Sequence, residues 1–227
     1  LTPKYILLDE RHTATIDRKD HRYNHLTRGT QLVDDGGLTG YSTASSSNAN
    51  NTFGIGESII ADEDLFHTLA ELVDENGANT PYLCMYRDSG SYVWAWSAMP
   101  YLWGTDYIKY DNAGTLTEGA NAKYYNWYLV YTNAVGDGRF ILIPGRGEFS
   151  SANAAYAEDF GTFSGSGLPL AEFVGVYQLT FVTNSSYAAN GKCKLERNPF
   201  RIIPSNNTTY SYASSIDHNA LAGLEGG

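Results

Sequence analysis

The stretch TPYLCMYRDSGSYVWAW, residues 80–96, constrains the fold more than any other part of the chain. Tyr82, Cys84 and Tyr86 alternate before Asp88-Ser89-Gly90, and Tyr92, Trp94 and Trp96 alternate after it. A period of two on both sides of a glycine-containing turn predicts a β-hairpin with one face buried. The same grammar recurs downstream. TDYIKYDNAGTLTEG predicts a strand running into a turn at Asp111-Asn112-Ala113-Gly114. KYYNWYLVYTNAVGDGRFILIPG predicts two long strands joined around Gly136-Asp137-Gly138, the second stopped at Pro144-Gly145. LAEFVGVYQLTFVTN reads as a buried strand and CKLERNPFRIIP as a short one ended by Pro204.

Other segments are less regular. Lys4–Asp9 reads as a short strand, and the polar run that follows it as an extended arm lying on a neighbouring subunit. Residues 34–52 are turn-formers and small polar residues, hence a loop or linker. FGIGESII predicts a strand with a glycine-marked bend. In ADEDLFHTLAELVDENG, Leu65, Leu69, Leu72 and Val73 fit helical spacing, with Gly77 as a cap; a strand is the alternative. SSANAAYAEDF predicts a helix, capped by Ser150 or Ser151 and filled with alanine. About eight strands at this spacing give a mainly β chain. The expected architecture is a β-sandwich-like domain over 53–204 with one or two short helices, an N-terminal arm and linker over 1–52, and a C-terminal linker over 205–227.

Composition narrows the function. A 227-residue chain with 42% hydrophobic, 14% aromatic and 18% charged residues can bury a core and does not resemble a disordered one. A net charge of −10 leaves no basic stripe for nucleic acid, so a protein or carbohydrate partner fits better. No apolar run is long enough to insert in a membrane, and LTPKYILLDERH lacks the apolar core and cleavage site of a signal peptide. Cys84 and Cys193 are expected as buried free thiols rather than a bridge. Asn50, Asn184, Asn206 and Asn207 begin sequons that Asn-rich turns produce by chance.

Candidate chemistry is sparse. Asp62-Glu63-Asp64, with Glu57 or Glu71 as a second carboxylate, is the one acid–base candidate; the competing reading is an exposed acidic turn. His21 and His25 are four apart but lack the glutamate of a zinc-protease helix, and His12, His67 and His218 stand alone, so no metal or other cofactor is expected. FGIGES is not a phosphate loop, and GTFSGSG is not a nucleophile elbow. The aromatics outnumber what one buried face needs. Trp94, Trp96, Tyr101, Trp103 and Tyr107 are therefore the candidate ligand-binding residues, with core or interface packing as the alternative role.

The last eleven residues, DHNALAGLEGG, resemble a linker that recurs in tailed-bacteriophage fibre proteins. GESIIADEDLFHTL, KYYNWYLVYTN, RFILIPGRGEFSSANAAYAED and LPLAEFVGVYQLTF are similar to segments found in the same order in those proteins, so the likeness covers about residues 53–227. Glu225 stands where Gln is common. The resemblance implies a non-enzymatic structural component of a tail fibre or related virion appendage, extracellular after release. It also implies a homotrimer that contacts other virion proteins and supports recognition of the host surface, with a glycan as the expected ligand. Small residues such as Ala220, Ala222, Gly223 and Gly226 would let chains approach one axis, with His218, Asn219, Leu221 and Leu224 as the axis residues. Two rival expectations remain: an appendage-borne glycan hydrolase using Asp62, Glu63 or Asp64 with Glu57, and a purely architectural collar, capsid or baseplate protein.

Overall fold

The computed structural model describes residues 30–62, 65–73, 82–134, 136–163 and 173–202. The chain is mainly β, in several sheets. Its strands are β1 (Thr30–Asp34), β2 (Leu38–Thr39), β3 (Gly54–Ile55), β4 (Ser58–Asp62), β5 (Leu65–Leu69), β6 (Tyr82–Asp88), β7 (Ser91–Ser97), β8 (Lys109–Asn112), β9 (Thr115–Glu118), β10 (Tyr124–Thr132), β11 (Phe140–Pro144), β12 (Phe173–Thr183), β13 (Cys193–Leu195) and β14 (Phe200–Arg201). Among the described residues two short helices interrupt them, α1 (Asn48–Asn51) and α2 (Ala152–Tyr156).

One seven-stranded sheet organises the body. Its order is β13-β12-β10-β11-β6-β7, with β14 also paired to β12. Every pairing is antiparallel except β11 with β6, which run parallel. A second sheet, β1-β4-β5, supplies the opposing layer, β2 and β3 form a separate two-stranded sheet, and β8–β9 form a hairpin. The main core lies on one face of the large sheet. Tyr82, Cys84, Tyr125, Trp127, Leu129, Tyr131, Leu142, Val176, Leu179 and Phe181 meet Ile60 and Leu69 from the opposing layer and Phe53 and Ile55 from the segment that carries β3. Period-two alternation puts the remaining residues of the same strands, Leu83, Met85, Val130, Ile141 and Ile143, in a second apolar cluster on the opposite face.

The hairpins follow their turn chemistry. Ser89 and Gly90 have φ of 51° and 82°, and Ala113 and Gly114 have φ of 50° and 97°. Two successive positive-φ residues are what a two-residue hairpin turn of matching twist requires. The tips of these two hairpins lock together. Arg87 makes a two-pronged ion pair with Asp111, and the Gly90 N–H donates to the Gly114 carbonyl. Across β10 and β12 the register slips between Leu129 and Val130, leaving Val176 as an extra residue. Beside it, Gly175 is needed for close approach: a Cβ there would lie 2.6 Å from the Phe160 ring.

Three sequence expectations need correction. Residues 65–69 form strand β5, not the start of a helix. Leu65 and Leu69 are four apart, a spacing that suits a helix face and also one face of a strand. Pairing of Ile60 with His67 and of Ser58 with Leu69 decides between them. Gly77, the expected cap, lies outside the described residues. Second, residue 52 is not a boundary. β1 pairs with β4, the Tyr131 hydroxyl donates to the Asp35 carbonyl at 2.7 Å, and Asn51 is fully buried against β13. Residues 30–52, part of the 1–52 segment read as an N-terminal arm and linker, therefore belong to the body. Third, the segment read as one strand over 193–204 forms two, because chain between Leu195 and Phe200 leaves and rejoins β12. The alanine-rich helix is present but only five residues long, with Ser151 accepting from the Ala154 N–H at its start. Lys4–Asp9 and residues 205–227 lie outside the described residues.

Candidate functional site

The five aromatic residues expected to form one contact region do not converge. Trp94 and Trp96 stand on β7 opposite Met85 and Leu83, and pack half-buried against the second apolar cluster. Tyr101 is fully buried in the main core, on the other face of the large sheet. Its hydroxyl donates to the Asn190 carbonyl at 2.9 Å and accepts from Asn51 Nδ2 at 3.0 Å; its ring meets Phe181 edge-on at 4.8 Å. Burial drives its phenol pKa well above the ordinary value. Tyr101 is thus a core residue, unavailable to a ligand. Trp103 packs half-buried on the rim of the same core, 6.5 Å from the Tyr101 ring. Tyr107 lies under Lys192, in a loop whose Asp106 and Tyr107 N–H groups donate to Glu118 Oε1. The turn MPYLWGTDY that separates these residues carries the chain from one face of the sheet to the other.

Of the acidic candidates, Glu57 and Asp62 stand at opposite ends of one strand. Asp62 pairs with Leu65, and Glu63 and Asp64 lie outside the described residues. Glu57 is exposed just before the opposite end of β4. Five residues of strand span about 17 Å, beyond the roughly 5–10 Å that separates the two carboxyl groups of a glycosidase. His67 faces the inner side of β5, and its Nε2 makes no hydrogen bond among the described residues. His12, His21, His25, His218, Asn219, Leu221 and Leu224 all lie outside them. Among the described residues no three His, Cys, Asp or Glu side chains gather as metal ligands. Both cysteines are free and buried. Burial raises both thiols, that of Cys193 to about 12, so neither is a reactive thiolate at neutral pH.

What the fold does gather is a polar network on the second face, and sequence reasoning missed it. Asn126 and Tyr128 alternate along β10, and Thr180 and Gln178 stand opposite them on β12. Asn126 Nδ2 donates to the Ala155 carbonyl at 2.7 Å and to Glu158 at 2.9 Å, while its oxygen accepts from Thr180 at 2.8 Å. The Tyr128 hydroxyl donates to Glu158 at 2.9 Å and accepts from Gln178 at 3.2 Å. The Arg146 N–H closes the ring on the second Glu158 oxygen at 2.7 Å. Burial raises the Glu158 pKa above 4.5, opposed by the Asn126, Arg146 and Tyr128 donors. The signal was present in KYYNWYLVY and VYQLTF: polar side chains at alternate positions of otherwise apolar strands, which pairing must satisfy.

Above this network lies a cleft of about 320 Å³, lined by Tyr156, Glu158, Phe160, Gln178, Phe200 and Arg201 among others. Arg197 forms its scaffold. The guanidinium lies 3.6 Å from the Tyr156 ring centroid and 4.7 Å from that of Phe200, and it donates to Gln178 Oε1 at 2.7 Å. Phe200 is 53% exposed, so the stack presents a fixed aromatic surface to solvent. Asp159 turns away to cap the 3-10 turn Phe160–Thr162 by accepting from the Gly161 N–H. The arrangement can hold a small, partly apolar group against an aromatic wall. It does not set two carboxylates across a bond. Comparison with protein-family models, with curated proteins and with solved structures finds no match.

Proposed function

We propose that the chain is a non-enzymatic structural module of a bacteriophage tail fibre or related virion appendage that supports recognition of a host-surface glycan. The observation that carries this reading is the joining, in one chain, of the closing DHNALAGLEGG stretch to a mainly β body whose buried polar groups are committed to packing. In this reading the C-terminal stretch joins parallel copies as a homotrimer and connects them to other virion proteins. The glycan contact moves from Trp94–Tyr107 to the cleft, where Tyr156 and Phe200 offer ring faces and Gln178 lies at the floor. Aromatic faces suit the apolar faces of sugar rings.

Purified protein added to host cells should compete with virion adsorption. Phe200→Ala and Tyr156→Ala should abolish that competition while leaving the solution mass at the wild-type value, a multiple of three chains. Competition that survives both substitutions removes the cleft from the proposal, and a monomeric mass removes the trimeric joint. The hydrolase alternative predicts new reducing ends on incubation with host polysaccharide. The separation of Glu57 from Asp62 along β4 counts against it.

A further inference from the structure

The two edges of the large sheet are finished differently. At one edge β13 is three residues long, and the Asn51 side chain occupies its open side. Asn51 Nδ2 donates to the Cys193 carbonyl at 3.0 Å, and its oxygen accepts from the Leu195 N–H at 3.3 Å. One amide side chain thus replaces a neighbouring strand. At the other edge, β7 is a seven-residue strand, Ser-Tyr-Val-Trp-Ala-Trp-Ser, with no charge, proline or glycine.

The register of the hairpin fixes which way the β7 backbone points. Its two-residue turn closes with Asp88 opposite Ser91, a hydrogen-bonded pair. Hydrogen-bonded and non-hydrogen-bonded pairs alternate along an antiparallel ladder. Ser91, Val93, Ala95 and Ser97 therefore turn their N–H and C=O groups to β6. Tyr92, Trp94 and Trp96 turn theirs outward. Among the described residues no strand pairs with this edge, and no hydrogen bond reaches those six groups.

We propose that β7 is a pairing edge that adds, antiparallel, to β7 of a second copy of this chain. Centring the pair on Trp94 sets Trp94 opposite Trp94 of the copy and Tyr92 opposite its Trp96. All three are outward-facing, so all six open groups on each chain are matched in one register. The side chains argue for a copy rather than a charged peptide. β7 offers no counter-charge to such a peptide, and it brings no like charges together in a chain of net charge −10. The aromatic row is already half-buried against Leu83 and Met85, and the row of the copy would extend that cluster and cover its exposed side. The inference does not depend on the appendage reading, whose joint lies in residues 217–227.

The test uses the full chain. Solution mass should be an even multiple of the chain and should halve in Trp94→Lys, which sets two like charges at the centre, and in Trp94→Pro, which removes an outward donor. In the wild type, the Tyr92, Trp94 and Trp96 amides should exchange about tenfold or more slower in concentrated than in dilute protein, while the β6-facing Val93 and Ala95 amides change little. That exchange measurement needs no variant to fold. Two chains falling to one supports β7 pairing and removes the trimer; six falling to three supports both. One or three chains, a mass unmoved by both substitutions, or amide exchange independent of concentration overturns the β7 interface. Three chains unmoved by the substitutions leaves the appendage reading standing.

Discussion

The two faces of the large sheet are built from the same strands and do different work. On the inner face nearly every position is apolar or aromatic and is sealed by Ile60 and Leu69 of the β1-β4-β5 layer together with Phe53, Met99, Tyr101 and Ile108, with Trp127, Tyr125 and Tyr131 fully buried. On the outer face the covering is piecemeal: α2 and its following turn over the Asn126–Glu158 network, an apolar middle, and the half-exposed row on β7. The inner face acts through burial, which is non-directional. The outer face acts through hydrogen bonds that must all be made at once. A substitution on the inner face should therefore scale with volume lost, and one on the outer network with donors and acceptors stranded.

The largest effect is expected at Trp127. The side chain is fully buried, and its indole N–H donates to the Lys109 carbonyl at 3.0 Å. Trp127→Ala should cost about 3–5 kcal/mol in urea denaturation through the cavity left behind. A loss below about 1 kcal/mol would mean the inner face is loosely packed. Asn126→Ala removes far less volume yet leaves the Thr180 hydroxyl without its acceptor and takes a donor from the Glu158 carboxyl, so a loss of about 2–3 kcal/mol is expected. Equal stability of Asn126→Ala and wild type would erase the distinction between the faces.

The smallest effect is confined to pH. Because burial raises the folded-state pKa of Glu158, the protonated form is favoured in the folded protein. Its contribution is fully present below the unfolded value near 4.5 and is lost as pH rises through the higher folded value. Relative to Glu158→Gln, the wild type should lose Tm as pH rises from the unfolded value near 4.5 through the higher folded value. A Tm difference that stays flat, or grows in favour of the wild type as pH rises, would show that the three donors outweigh burial.

Strand existence was legible where alternation ran long enough to outweigh other patterns, as in β6–β7 and β10, and where the turn needed positive φ, as at Ser89-Gly90 and Ala113-Gly114. It failed where the spacing of apolar residues suited two periods, as with Leu65 and Leu69, and where a strand was short and polar, as in β1. The site was less legible than the fold. Which aromatic residues share a surface depends on chain crossings: Trp96 and Trp103 are close in sequence yet serve opposite faces. The cleft depends on Arg197 and Phe200 reaching Tyr156 from a distant part of the chain, a juxtaposition that pairing of β14 with β12 creates.

The parallel seam between β11 and β6 has a consequence for biosynthesis. A parallel neighbour cannot be reached by a tight turn, so the β6–β7 hairpin finds its place only after β10 and β11 have been made. The inner face must then wait longer still for β12, which completes it from the other side. Ribosome-bound chains ending before residue 173 should stay protease-sensitive over β6 and β7, with aromatic surface open to chaperones, and become resistant only when β12 has emerged.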